Sequence, residues 1–343
     1  MRNVFGYALL MLLFIGGRCP AALTIDIDYT FDTNNFFGAA GSAQREAIEA
    51  AAGFFENTIS QNFAAITPGG DNSWDAQFFN PATGGLSTVS NATIAADTIR
   101  IYVGGRNLGS STLGQAGRGG WSASGFAPFF DSINRGDSAT QFGLWGGSAT
   151  FNTTSNWNFS VASGPSAGQN DFYSVALHEL GHVLGLSATS DAWDDHWIAG
   201  TDSIADANPG TDGQFTGPNA LAAYNADNGL SEAFIPTVAA RLDNPGTAQN
   251  EEDLTNRHFA RNTMSYIYGT TTLQEIALDP DITVGTRKLF TNVDVAALSD
   301  IGWQVTAVPE PSTWFALAMI GGGACYRRRR QRAKQSTEAA ADV

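Results

Sequence analysis

Apolar and polar residues alternate from Ile25 to Phe31, with Ile25, Ile27 and Tyr29 set against Asp26, Asp28 and Thr30. A period of two predicts a strand. From Ala43 to Phe63 the spacing lengthens, and Ala47, Ile48, Ala51, Phe55, Ile59 and Phe63 form one apolar stripe. That spacing predicts a helix. Thr98 to Val103 reads as a second strand, with Ile99, Ile101 and Val103 on one face. Residues 104–125 are rich in glycine and are expected to be loop. Ala149 to Ser160 alternates weakly and is expected to hold an edge strand. Residues 171–185 predict a helix that Asn170 or Asp171 can cap, while 187–257 form a long, acidic stretch with few periodic signals. Thr291 to Trp303 predicts a closing helix, with Thr291 as cap, Asp294 at the capping-box position and Gly302 as its end. There is no internal repeat. Strands and a helix followed by further helices predict an α+β fold.

The two ends carry a different pattern. Arg2 precedes an apolar stretch from Val4 to Ile15, and the small residues Ala21 and Ala22 follow. Residues 1–22 therefore read as a cleavable signal peptide. At the other end Trp314 to Tyr326 is apolar and is followed by Arg327, Arg328, Arg329 and Arg330. A membrane segment over 314–326 with a basic cluster that stays cytoplasmic is a stop-transfer device. The order Pro309-Glu310-Pro311, apolar segment, basic cluster over 308–343 also resembles the PEP-CTERM sorting signal. That resemblance implies a Gram-negative bacterium, transient anchoring in the inner membrane, and removal of the tail by an exosortase-type enzyme. The plain anchor and the sorting signal both place the body, residues 23–307, outside the inner membrane.

Charge narrows the partners of that body. The chain has 343 residues, 43% of them hydrophobic, enough for a packed core. Between residues 23 and 308, ten basic side chains face thirty acidic ones. Such a surface repels nucleic acid. Clustered carboxylates also make bound Ca2+ an expectation, although no EF-hand pattern is present and a solvated surface suits the acidic stretch better. The cysteines are Cys19 and Cys325, one in each end segment, so cysteine catalysis and cysteine-ligated zinc are excluded for the body.

The chemistry concentrates in NDFYSVALHELGHVLGLS. His178 and His182 are four residues apart on the predicted helix, so both rings project from one face toward a single ion. Glu179 lies beside His178, where it reaches a water bound to that ion rather than the ion itself. Gly185 ends the helix with a turn. Neutral imidazoles bind Zn2+ and leave its charge uncompensated, and the ion then acidifies water and polarises a carbonyl. A catalytic zinc wants a third protein ligand. The chain has four histidines, which leaves His258 and His196, with Asp191, Asp194 and Asp195 also near. On the residues alone His258, His196 and Asp191 all remain open as the third ligand.

These motifs resemble the metzincin zinc proteases. Their short pattern places the third ligand six residues after the second His, and here that residue is Ala188. The leishmanolysin family instead keeps its third His beyond a long insertion, shortly before the Met-turn. The order of the motif helix, the insertion 187–257, His258 and Met264 is similar, which implies His258 as the third ligand, with His196 and Asp191 as alternatives. Thr263-Met264-Ser265-Tyr266 resembles the Met-turn in its serralysin form, which implies that Met264 lies beneath the metal and that Tyr266 helps stabilise the oxyanion. The resemblance spans roughly 98–303 and is specific at 178–185 and 258–266. It implies a metzincin-like catalytic domain, with a twisted mixed sheet and helices in an upper lobe and an irregular lower lobe. Residues 23–97 then belong to that domain or to a propeptide. The implied activity is a secreted zinc endopeptidase acting on protein or peptide substrates, with Glu179 as general base and the substrate along an edge strand within 149–160. A catalytically weak envelope or matrix binding protein on the same fold is the alternative, and a hydrolase of other amides or esters a third reading. An intact Glu179 argues against the binding protein.

Overall fold

The computed structural model describes residues 23–135, 145–187, 190–199, 213–238 and 258–306. The leader, the tail with its 314–326 segment, and Asp202, Asp206 and Asp212 of the acidic insertion lie outside the described residues. Among the described residues no helix is long and apolar enough to cross a membrane.

A mixed sheet carries the fold. It joins β1 (Thr24–Asp28), β4 (Thr98–Arg106), β7 (Gly146–Asn152) and β5 (Gly114–Arg118) in the order β1-β4-β7-β5. β1, β4 and β7 run parallel and β5 is antiparallel to β7. The predicted strands at 25–31 and 98–103 are therefore neighbours. Because β1 pairs with β4 and α1 (Ala43–Thr58) packs on α3 (Phe172–Val183), this early segment is part of the same core.

Three expectations change here. The strand within 149–160 is β7, an interior strand with all seven residues buried. Burial on both faces removes the period of two, which explains its weak alternation. The edge strand is β5, inside the glycine-rich stretch expected to be loop, and β6 (Gly120–Ser124) follows it. Glycines in β5 leave no apolar alternation to read. α1 also stops short of Phe63. Its C-cap Ile59 is extended and bridges Val305, and Ser60 N–H donates to the Gln304 carbonyl at 2.8 Å. Pairing with the C-terminal segment replaces the last helical turn, and Phe63 is buried against Trp303.

A second antiparallel sheet, β3-β2-β6, comprises β2 (Ser73–Phe79), β3 (Leu86–Ser90) and β6. Its Trp74, Ala76 and Phe78 pack with Tyr102 of β4 and with Trp145, and the Phe78 and Tyr102 rings stack at 4.3 Å. α2 (Ala127–Ile133) closes this cluster, while β8 (Trp157–Asn158) and β9 (Asn170–Asp171) form a short parallel pair that leads into α3.

The described parts of the acidic insertion hold α4 (Asp191–Asp194), a small sheet of β10 (Trp197–Ala199), β11 (Gly213–Phe215) and β12 (Ile235–Pro236), and α5 (Pro218–Asn228). β13 (Met264–Tyr266) and β14 (Leu273–Glu275) make a hairpin, and α6 (Asn292–Asp300) closes the domain. α6 starts as expected, with a reciprocal capping box between Thr291 and Asp294. It ends at Gly302, whose φ of 114° only glycine takes without strain.

Candidate active site

α3 is fixed at both ends by side chains that also shape the site. The Asp171 carboxylate caps it, accepting from the Ser174 N–H at 3.2 Å and the Ser174 hydroxyl at 2.5 Å. Asp171 is fully buried and is held by two hydrogen bonds from Arg287, both 2.9 Å. At the other end Gly185 has φ 99°, and its N–H donates to the His182 carbonyl while Leu186 N–H reaches back to Gly181, each at 3.1 Å. This turn brings the Leu186 carbonyl to 2.7 Å from His182 Nδ1. The glycine therefore does more than end the helix, because it supplies the partner that orients a motif histidine.

His178 is oriented in the same way, with Nδ1 2.8 Å from the Ala277 carbonyl. A carbonyl only accepts, so in both rings Nδ1 carries the proton and Nε2 keeps its lone pair. Behind Ala277 the buried Asp294 carboxylate accepts the Ala277 and Leu278 N–H groups at 2.9 and 3.0 Å. The capping residue of α6 thus fixes the backbone that fixes His178. Desolvation raises the Asp294 pKa, and the four backbone and hydroxyl donors around it counter that shift.

His258 completes a ring. Its Nε2 lies 3.1 Å from that of His178 and 3.0 Å from that of His182, and the latter two are 2.9 Å apart. Burial lowers the pKa of His178 to about 3, helped by His182, and that of His182 to about 4. Lone pairs on neutral rings that converge this closely repel one another unless a cation sits among them. Tetrahedral zinc with Zn–N of about 2.0–2.1 Å would set its nitrogens about 3.3 Å apart, close to this spacing. The donor set fits a zinc ion.

The alternative ligands are engaged elsewhere. His196 Nε2 donates to the Asp300 carbonyl at 3.0 Å, and Asp191 faces Arg118 at 3.9 Å. Among the described residues, metal-compatible groups are the three histidines and a second cluster of Glu275, Asp279 and Asp281. No cluster of insertion carboxylates of the kind that bound calcium would need is found among those residues.

The ring and Glu179 line a cavity of about 500 Å³ between β5 and the segment 277–282. Glu179 is 5% exposed. Sequence reasoning missed Gly114, at the start of β5. A Cβ there would collide with Glu179 Oε1 and lie 2.8 Å from its Cγ and Cδ. The glycine-rich run was the available signal.

Met264 and Tyr266 occupy β13, half-buried, and neither lines the cavity. The turn is held from the insertion. Asp227 of α5 accepts from the Ser265 hydroxyl at 2.6 Å and from Tyr266 N–H at 3.0 Å, and Asn228 donates to the Met264 carbonyl at 2.9 Å.

Comparison with known proteins adds one similarity. The family model for matrixins matches residues 124–194, from the end of β6 through α3 to α4, a stretch that includes His178, Glu179 and His182. No curated protein matches the chain. The matrixin match, taken with the three-imidazole ring, supports a metzincin-type zinc metallopeptidase.

Proposed function

We propose that the protein is an exported zinc endopeptidase. The observation that carries this reading is the convergence of three imidazole Nε2 atoms beside Glu179, in a cavity bordered by the edge strand β5. His178, His182 and His258 would hold the ion, which when bound acidifies a water and polarises the scissile carbonyl. The Ala277 and Leu186 carbonyls keep the proton on Nδ1 and so keep each Nε2 free to bind. Glu179 accepts a proton from the attacking water and passes it to the leaving amine. An extended polypeptide adds to the free edge of β5 through backbone hydrogen bonds, so β5 replaces the 149–160 strand as its rail. Tyr266 acts as oxyanion donor if its half-buried side chain closes toward the ring after substrate binds.

The lobed metzincin arrangement, the signal peptide, the exosortase-processed tail and release from a Gram-negative cell belong to this reading on the strength of the sequence pattern. Ca2+ bound by the acidic insertion would be an additional structural ion, and a calcium-dependent rise in melting temperature tests it. The activity test compares cleavage of an unfolded protein by the wild-type chain and by Glu179→Ala, with zinc content measured in both. Cleavage by the wild type alone, with zinc in both, supports the reading. Zinc in both with cleavage by neither refutes it in favour of the envelope-binding alternative.

A further inference from the structure

The cavity extends beyond the histidine ring, along α3 toward its N-terminus. Ser174 lies one helical turn before His178, about 6 Å along the axis, and its hydroxyl oxygen accepts the Lys288 N–H at 2.8 Å. On the opposite wall Asp279 is two residues from Ala277, whose carbonyl holds His178. Both walls thus lead to one group of charges, and Asp279, Asp281 and Lys288 line the cavity there.

The balance within this group is uneven. Lys288 Nζ donates to Asp279 Oδ1 at 2.6 Å, to Glu275 Oε2 at 2.9 Å and to the Asp281 carbonyl at 2.8 Å. An ammonium has three hydrogens, and all three are used. Two carboxylates, those of Asp279 and Glu275, share this ammonium, and an Asp281 carboxylate oxygen lies within 4.8 Å of both. Arg261 meets Asp281 at 2.8 Å on the solvent side, where both side chains are exposed. Asp279 is 0% exposed, and its Oδ2 has no hydrogen-bond partner. A buried polar oxygen in that state is costly until a partner reaches it.

We propose that this end of the cavity is a subsite for a basic side chain of the substrate, anchored by the free oxygen of Asp279. The inference rests on the peptidase reading above. A lysine or arginine side chain spans about one helical turn, the offset between His178 and Ser174, whose hydroxyl holds the Lys288 N–H. An apolar side chain would leave Oδ2 unpaired, and an acidic one would meet three carboxylates. Lys288 already fills the centre of the cluster, so a metal ion is the poorer occupant. Burial, with the adjacent Glu275, raises the Asp279 pKa to about 8 despite Lys288, so the carboxyl holds a proton at neutral pH that an entering cation displaces.

The test uses the full chain, zinc-loaded and carrying Glu179→Gln, with labelled peptides in which one arginine is moved along an otherwise constant sequence. Each arginine peptide is paired with its citrulline counterpart, a neutral isostere, and dissociation constants are read by fluorescence anisotropy. At one register, citrulline should weaken binding by about tenfold, as expected for loss of a buried charge-assisted contact. In the same chain with Asp279→Asn that gap should fall to about twofold or less. A gap that persists in Asp279→Asn overturns the assignment of Asp279. Absence of a gap at every register overturns the subsite, and it does so in the chain with Asp279 intact, whether or not the variant folds. Cleavage of unfolded protein by the unmodified chain without any arginine preference sinks this inference alone. Failure of both cleavage and peptide binding sinks the peptidase reading with it.

Discussion

Gly114→Ala separates the position of Glu179 from the integrity of the metal centre. The added methyl would fall against Oε1 of Glu179 and 2.8 Å from its Cγ and Cδ, where carbon atoms in contact sit about 3.5–4.0 Å apart. The conflict therefore involves three atoms and a displacement of about 1 Å. Glu179 lines the cavity, so its side chain yields into that space and the carboxylate leaves its working position. A misplacement of about 1 Å in a catalytic constellation costs on the order of 100-fold in rate, or about 2.7 kcal/mol in the barrier. Stability should change far less. Local overpacking of about 1–3 kcal/mol is partly offset by about 0.4–1 kcal/mol from replacing glycine in the unfolded chain. The ring nitrogens are bonded to Ala277 and Leu186, not to β5, so zinc content should be unchanged. Gly117 is the control, lying on the same strand with nothing within 4 Å of an added Cβ. The assay is kcat/KM on a quenched fluorescent peptide, with zinc content and melting temperature recorded for both variants. Equal activity in Gly114→Ala and Gly117→Ala would refute the argument that β5 positions the general base.

The other predictions concern the ligands, the turn and pH. His258→Ala should lose nearly all bound zinc, and His196→Ala should keep it, because His196 is bonded to the Asp300 carbonyl. Metal analysis decides between them, and the opposite result would exchange their roles. Tyr266→Phe should lower kcat with zinc content unchanged, and an unaltered rate removes Tyr266 from the mechanism. The metal-free protein should lose stability on acidification. The folded pKa values of His178 and His182, about 3 and about 4, lie below the unfolded value of about 6.5, so the unfolded chain binds more protons in that window. Stability is full above pH of about 6.5 and falls as pH drops toward about 4. A melting temperature of the metal-free protein that is flat across this range would contradict the desolvation of both rings.

The parts of the site that were legible in the sequence are those set by local rules. His178 and His182 meet because residues four apart share a helix face, Gly185 turns because only glycine takes its φ cheaply, and Thr291 with Asp294 caps α6 by a local exchange of hydrogen bonds. What was not legible depends on tertiary contacts. β7 lost its alternation by being buried on both faces. β5 has Gly114 where Glu179 comes close and a second glycine at 117, so the edge strand looked like loop. The end of α1 is set by a C-terminal segment whose pairing no local pattern records.

The third ligand shows why distance along the chain is a poor guide to distance in space. His258 is 76 residues from His182, yet their Nε2 atoms are 3.0 Å apart. The segment just after β12 holds it in place. Thr237 bridges Phe259, Val238 N–H donates to the His258 carbonyl at 2.8 Å, and Ala260 N–H donates to Pro236 at 2.9 Å. The opposite side of the same segment is fixed by Phe259 N–H on the Leu278 carbonyl at 3.0 Å, next to the residue that orients His178. α5, also within the insertion, holds the turn that follows through Asp227 and Asn228. The acidic stretch that looked like an irregular surface therefore does two structural tasks. Its α5 holds the Met264–Tyr266 turn, and the pairing of residues 236–238 with 258–260 fixes the backbone that presents His258 to the ring.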